Sequence, residues 1–362
     1  MATEIRSWPD IAIPPGELLA ETLESVGMTQ AELARRTGRP VQAINEIVHG
    51  TKEITPETAL QLERVLGVPA HVWVRLEADY RYNVARLQDR KSLENEVPLA
   101  EAYPYREMVR CKWVANVQDK VEQVSELLRF FRVSSLRQLE TRELEVAWRR
   151  STKVVIERAA LLAWLCQGER EAERLNDVAE TFDRDLLKSK LSLFRSLTTQ
   201  PAVSLGPAMR QHLAECGVAL AFVQHLPRTG VHGATQWHSS RVAMQLSVRF
   251  KWNDIFWFSF FHELGHLLLH PRRGVFVNPE SGDKSRDEQE ADRFAADTLI
   301  PPNEFTAKCA HLGATTSAAA IVACAKEIGI APGILVGRLQ HEKLLPRSHL
   351  NHLKQRFELA SQ

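Results

Sequence analysis

Paired cysteines are missing from this 362-residue chain: the five present, at 111, 166, 216, 309 and 324, are widely spaced and form no Cys-x-x-Cys. That argues against a disulfide framework and a thiolate zinc site, and it fits a reducing compartment. A surplus of one charge is missing too. The formal net charge is +1, so no global field draws the chain to nucleic acid or a membrane, and any DNA contact must come from a local patch. Nor is there a run apolar enough for a bilayer. The most apolar stretch, 255–269, is interrupted by His262, Glu263 and His266, which leaves it too short and too polar to span. The opening MATEIRSWPDIAIPPGE lacks the basic-then-apolar order of a signal peptide. No fixed-period repeat or low-complexity tract occurs. The expectation is a cytoplasmic protein without membrane association. At this length two or three domains are the default.

Three regions differ in pattern. In 1–80, short helices alternate with small turns. Thr29-Gln-Ala-Glu32 is a capping box that opens a helix through Arg36. Gly38 ends it, and Pro40 suits the first turn of the next helix, which runs to His49 and stops at Gly50. Thr55-Pro56 starts another, closed by Gly67. Residues 81–200 are rich in Leu, Arg and Glu and poor in Gly and Pro. Val121, Val124, Leu127, Leu128 and Phe131 recur at helical spacing, and 157–175 and 183–197 read the same way. This predicts a helical linker or sensor region whose apolar stripes are core rather than a binding groove. From 201 to 362 the pattern changes. Val218–Val223 is a continuous apolar run, the mark of a buried strand. Residues 241–249 alternate, with Val242, Met244, Leu246 and Val248 on one face and Ala243, Gln245 and Ser247 on the other, the mark of a half-buried strand. With 231–237 before it, a hairpin or meander is expected. Helices are predicted at 254–270, 286–299, 317–328, 332–341 and 348–358. The fold class expected is multidomain and mainly α: an all-α helix-turn-helix domain, a helical middle region, and a C-terminal α+β domain with a small sheet.

His-Glu-x-x-His occupies 262–266. On a helix the two histidines are about 40° apart around the axis, so both imidazoles can reach one Zn2+. Glu263 stands beside them, able to orient a water that the metal activates and to take its proton. The aromatic run Phe256, Trp257, Phe258, Phe260, Phe261 would bury the helix and keep its surroundings dry. A third protein ligand is needed, with one position left open. The longer metzincin pattern requires Gly at 269 and His at 272; the chain has Leu269 and Arg272, which excludes that class. On the next helix Glu288, Ala291, Asp292, Ala295 and Leu299 share a face, within about 60° of Glu288. Glu290 points roughly 200° away, toward solvent. Glu288 is therefore the expected ligand, with Asp292, one turn on, as the carboxylate that fixes the tautomer and tilt of a ligating histidine. Glu290 is the fallback. The competing role for Glu288 is a capping box with Ser285. His270, one turn past His266, is expected to line the cleft or polarise substrate, although a core or surface histidine is an equal reading.

FWFSFFHELGHLLLH followed by DEQEADRFAADTLIP resembles the ImmA/IrrE family of metallopeptidases, in which HExxH precedes a helix of the form E-x-x-A-[ND]-x-F-A and a Leu-Met-Pro-like turn. The resemblance covers about 201–345. It implies a zincin-like fold, Zn2+ as cofactor, ligands at His262, His266 and Glu288, and Glu263 as base in a gluzincin-like endopeptidase. Family members are associated with cleaving a repressor or antitoxin partner. Ser259 stands where Thr is frequent and Ile300 where Met is frequent, and neither touches the metal. The group that stabilises the oxyanion stays open among His232, His238 and His270. The strand near 233–237 could present an edge to an extended substrate.

The segment 29–49 places helix, Gly turn and helix at helix-turn-helix spacing. Leu33, Ala34, Ile44 and Ile47 would form its core. Gln42, Ala43 and Asn45 are expected to face outward, with Gln and Asn suited to adenine edges. Gln30, Arg39 and Lys52 would meet phosphates, while Glu46 is read as structural. Residues 13–80 resemble the HigA-like branch of XRE-type domains, which implies operator DNA as partner and a homodimer. Two functions follow: a DNA-tethered zinc peptidase that cleaves a repressor- or antitoxin-type protein or itself, and a non-enzymatic antitoxin-like regulator whose metal centre is structural or sensory.

Overall fold

The computed structural model describes residues 11–140, 157–175, 177–238, 241–247, 252–270, 275–279, 286–309, 311–313 and 316–356. The chain forms two compact units, 1–97 and 98–362.

The first unit is helical: α1 Pro15–Ser25, α2 Gln30–Thr37, α3 Val41–Val48, α4 Pro56–Leu66 and α5 Ala70–Glu94. Its punctuation is local. Thr29 Oγ1 accepts from the Glu32 amide and Thr55 Oγ1 from the Thr58 amide, satisfying amides that the helix itself leaves unbonded. Gly38 and Gly67 end α2 and α4 at φ 68° and 77°, a region that costs other residues a Cβ clash. Leu33, Ala34, Ile44 and Ile47 are buried together with Leu19, Leu62 and Trp73. Residue 80 falls inside α5, a 25-residue helix, so the first unit extends beyond the expected boundary.

The second unit begins with α6 Val97–Ala100, α7 Tyr105–Arg110, α8 Lys120–Phe131 and α9 Arg137–Glu140. Next come α10 Arg158–Glu173, α11 Arg184–Ser189, α12 Leu191–Leu197 and α13 Ala202–Ala214. The predicted helix over 183–197 is thus broken at Lys190, whose ammonium reaches across to Glu215. Then come β1 Val218–Val223, β2 Val231–His238 and β3 Arg241–Ser247, followed by α14 Asn253–Leu269, β4 Val275–Pro279, α15 Arg286–Leu299 and the short α16 Pro302–Glu304. A π-helical turn, Phe305–Cys309, α17 Ala318–Ile328 and α18 Pro332–His341 complete the order.

The four strands run β1-β3-β2-β4, with β1 parallel to β3 and the other pairs antiparallel. One face of the sheet packs on α14: Val218, Leu220, Val242, Met244 and Leu246 join Trp257, Phe260 and Phe261 in one core. Full burial of large apolar side chains such as these stabilises by about 1.5–3 kcal/mol each. The other face is covered as well, which corrects the reading of β3 as half-buried. Ala243 and Gln245 are 3% and 0% exposed, because α10 lies over them. Gln245 and Gln236 share a 3.0 Å hydrogen bond and donate to the carbonyls of Trp164 and Leu165 on α10. A Cβ at Gly168 would collide with the Gln245 amide. Part of the region expected to be a linker is therefore the outer layer of this sheet. Val248 lies outside the described residues.

Two further expectations are overturned. β2 has neighbours on both sides, so 233–237 is not an edge; β4 and β1 are the edges. Residues 348–356 are not helical. Leu350 has φ 56°, a single 3-10 turn covers Asn351–Leu353, and Arg356 pairs with Trp252 as an isolated bridge. Gln340 on α18 donates to the carbonyls of Arg347 and His349 and to Asn351 Oδ1, so a side chain does what helical amides would have done. Residues 357–358 lie outside the described ones.

Candidate metal centre

α14 carries the His-Glu-x-x-His run at its buried centre. Its N-terminal two turns are anchored by Phe256, Trp257, Phe260 and Phe261 in the core, and α15 crosses it where Gly265 faces Ala291. A Cβ at 265 would stand 3.1 Å from Ala291 Cα. The small pair lets the two helices approach closely, and the polar side chains beside it then meet.

His262 Nε2 and His266 Nε2 are 3.0 Å apart. Glu288 places Oε2 3.2 Å from the first and Oε1 3.3 Å from the second. All three residues are buried, and their donor atoms lie within 4.8 Å of one another. Two imidazole nitrogens and one carboxylate oxygen, from a helix pair, form a set that suits Zn2+. The outward nitrogens are also held. His262 Nδ1 bonds Asp292 Oδ1 at 2.9 Å, and His266 Nδ1 bonds His270 Nδ1 at 3.0 Å. His270 Nε2 is 3.5 Å from Glu290 Oε2.

Glu290 is half-buried and bonds Arg286 at 2.8 Å and His270, and it is not part of the His262, His266 and Glu288 cluster. Ser285 and the side chain of His238 lie outside the described residues. His232 is half-buried on β2.

Sequence reasoning missed what β2 does. Gly233 and Thr235, two residues apart on one strand face, both meet Glu263. Thr235 Oγ1 donates to Glu263 Oε2 at 2.7 Å, and a Cβ at 233 would come within 2.6 Å of Oε1. Glu263 is 0% exposed, and its Oε1 has no hydrogen-bond partner among the described residues. The alternation of small and hydroxyl residues in VHGATQWH was the available signal.

The electrostatics follow from this packing. Burial pushes Glu263 up to about 8, partly opposed by His262 and the Thr235 bond. Burial alone would depress His262, but the Asp292 and Glu288 carboxylates outweigh it and hold the ring at about 9. Burial likewise works against ionised Glu288, yet the two imidazoles bring it down to about 2. His266 is lowered, chiefly by burial.

In the first unit, Gln42 and Asn45 are exposed on α3, and Gln42 bonds Glu46 while Asn45 bonds Gln30. Arg39 donates to Gln61 on α4, and Lys52 lies 3.6 Å from Glu46. Ala43 does not face outward: it is 5% exposed, because it shares the inner face of α3 with Ile47, one turn on. Val41, 50% exposed beside Gln42, takes the outward position instead.

A helix-turn-helix unit and a buried two-histidine, one-carboxylate centre over a small sheet define a regulator-like head joined to a peptidase-like body. Residues 19–73 match the family described as helix-turn-helix, and residues 255–339 match the IrrE N-terminal-like domain. The chain thus carries an XRE-like helix-turn-helix domain at the N-terminus and an IrrE/ImmA-like domain at the C-terminus. A curated relative, virulence-associated protein I of Dichelobacter nodosus, is 37% identical over 90 residues, which are 25% of this chain and 82% of that protein. Among solved structures, an addiction module antidote protein of the HigA family from Coxiella burnetii is 32% identical, covering 24% of this chain and 94% of that one, with a TM-score of 0.22. The Pseudomonas aeruginosa antitoxin HigA with higBA promoter is 30% identical over 24% of this chain and 95% of that one, also at 0.22. Among the described residues, no single helix is long and apolar enough to cross a membrane.

Proposed function

We propose that the second unit is a gluzincin-like zinc metallo-endopeptidase and that the first unit, as a homodimer, places it at an operator, where it cleaves a repressor- or antitoxin-type protein or itself. The observation that carries this is the convergence of His262, His266 and Glu288 within 4.8 Å, with the Glu263 carboxylate on the same helix. Zn2+ bound there supplies Lewis acidity and lowers the pKa of water to near 7.

The chain's own residues do the rest. Asp292 on His262 Nδ1 fixes that ring's tautomer, so its Nε2 lone pair faces the metal position. His270 stands in the same relation to His266, and we assign it to orienting that ligand rather than to lining the cleft. Glu263 takes the proton of the attacking water at Oε1, because Oε2 is held by Thr235. Burial disfavours the charged form of this carboxylate and so favours its taking up that proton. On α3, Gln42 and Asn45 read base edges, and Val41 suits a thymine methyl. Gln30, Arg39 and Lys52 meet phosphates.

The test is Glu263→Gln in the full chain, with zinc content and cleavage of co-expressed neighbouring-gene products measured together. Zinc should stay and cleavage should stop; unchanged cleavage removes Glu263 from the mechanism. A second reading, a non-enzymatic antitoxin-like regulator with a structural or sensory metal centre, is favoured by the burial of both imidazoles and of Glu263, at 0–1% exposed. It requires that no partner be cut and that Glu263→Gln leave operator control unchanged.

A further inference from the structure

A cavity of about 470 Å³ opens beside the centre. Two of its wall residues touch the site directly. Asp292 is the carboxylate bonded to His262, and the Phe258 ring lies 6.4 Å from the His262 ring. Beyond them the apolar part of the wall is made by Ile255 on α14, Ala296 and Leu299 on α15, and Ile334 on α18. Charged groups line it as well: Arg293 and Asp297 on α15, and Asp254, Arg338 and Glu342, which are in ion pairs. Asp254 lies 2.6 Å from Lys354, and Glu342 lies 3.0 Å from Arg338. The surface the cavity offers a newcomer is nonetheless mostly apolar, in the size range of about 300–1,000 Å³ that encloses organic groups.

We propose that this cavity is the side-chain subsite of the proposed peptidase, and that it takes a bulky aliphatic or aromatic residue adjoining the scissile bond of a polypeptide substrate. The assignment rests on the peptidase reading for its chemistry but on the cavity walls for its selectivity. A residue entering past Phe258 brings its backbone alongside His262 and Asp292, while its side chain points between α15 and α18. Ala296 sits one turn beyond Asp292 on α15, on the same face, so its size sets the depth. A methylene of mismatch in such a pocket changes discrimination by about 10- to 200-fold.

The experiment digests a peptide pool, randomised in sequence, with zinc-loaded full-length protein and with Ala296→Phe, and reads the residues flanking each cut. A parallel measurement records saturation-transfer NMR of N-acetyl-leucinamide and N-acetyl-alaninamide against Glu263→Gln and against Glu263→Gln with Ala296→Phe. Zinc content and thermal melting report whether each variant folds. The expected profile favours Leu, Ile or Phe at one flanking position by about 10-fold or more over Ala. In Ala296→Phe that preference shifts to Gly or Ala, and the leucinamide signal disappears. A flat profile, a preference for basic residues, or the same profile in folded Ala296→Phe overturns the subsite. No cleavage of any peptide, with leucinamide binding still present and abolished by Ala296→Phe, overturns the peptidase reading and keeps the cavity as an apolar side-chain site. No leucinamide signal against the folded Glu263→Gln protein overturns the cavity assignment.

Discussion

Thr235 Oγ1 donates a 2.7 Å hydrogen bond to Glu263 Oε2 where both side chains are fully buried. The sheet thus holds one oxygen of the carboxylate while the other stays without a hydrogen-bond partner among the described residues. Thr235→Val keeps the shape and removes the donor. Leaving a buried carboxylate oxygen unsatisfied costs about 1–3 kcal/mol, so a lower melting temperature is expected. Because the Thr235 bond lowers Glu263, its loss raises that group further. On the peptidase reading, the acidic limb of the rate profile then moves to higher pH at unchanged zinc content. Thr235→Ser restores the donor and should restore the profile. Equal profiles for Val and Ser would show that the bond does not position Glu263.

Asp292, on the helix that also carries Glu288, is bonded to His262 Nδ1 at 2.9 Å. Asp292→Asn keeps the volume and removes the charge that holds the imidazole. Zinc affinity, read by competition with a chelator, should fall by about 10- to 100-fold, and the stripped protein should melt at a lower temperature below pH 9, because the buried His262 ring loses a charge partner. An unchanged affinity would mean that Asp292 orients nothing that the metal feels.

Much of this arrangement follows from short-range rules, and the remainder does not. Residues one turn apart share a helix face whatever surrounds them, so His262 with His266, and Glu288 with Asp292, could be paired from spacing alone. Helix ends were legible for the same reason, since Thr29 and Gly38 act within their own turn. The sheet was not. The polar alternation of 241–249 suggests water on one face, yet Gln236 and Gln245 are bonded to α10 carbonyls, and no local pattern shows that a helix 80 residues earlier covers them. β4 has too few residues for periodicity to register, and the coil at 348–356 is held by Gln340 from another element. The Glu263–Thr235 bond joins a helix to a strand 28 residues away, which helical geometry cannot foresee.

Metal loading should release protons. In the stripped protein His262 is held at about 9, so its ring carries a proton throughout pH 6–8, and that proton must leave before Nε2 can ligate. Glu288, at about 2, is already ionised and contributes none. The protonated form is favoured below about 9, so affinity weakens as pH falls, by about tenfold per unit for one proton. Titration calorimetry in two buffers of different ionisation enthalpy gives the count. Release of at least one proton, that of His262, is expected across pH 6–8, with up to a second from Glu263, held at about 8; release of none would show that metal does not displace the His262 proton.

The outer face of α3 makes a separate prediction. Gln42 and Asn45 are exposed there, whereas Ala43 is not, so sequence reading should rest on the first two. Full-length protein is first used to select DNA from a random pool. Gln42→Ala and Asn45→Ala should each weaken binding to the selected site by about 1–3 kcal/mol, and relax its sequence at one position, without changing the salt dependence. Lys52→Ala should instead weaken all sequences alike and lower the salt slope by about one. If the selected pool shows no preference, or if the two α3 variants select the same sequence as the parent, α3 does not read the DNA and the operator part of the proposal fails independently of the metal centre.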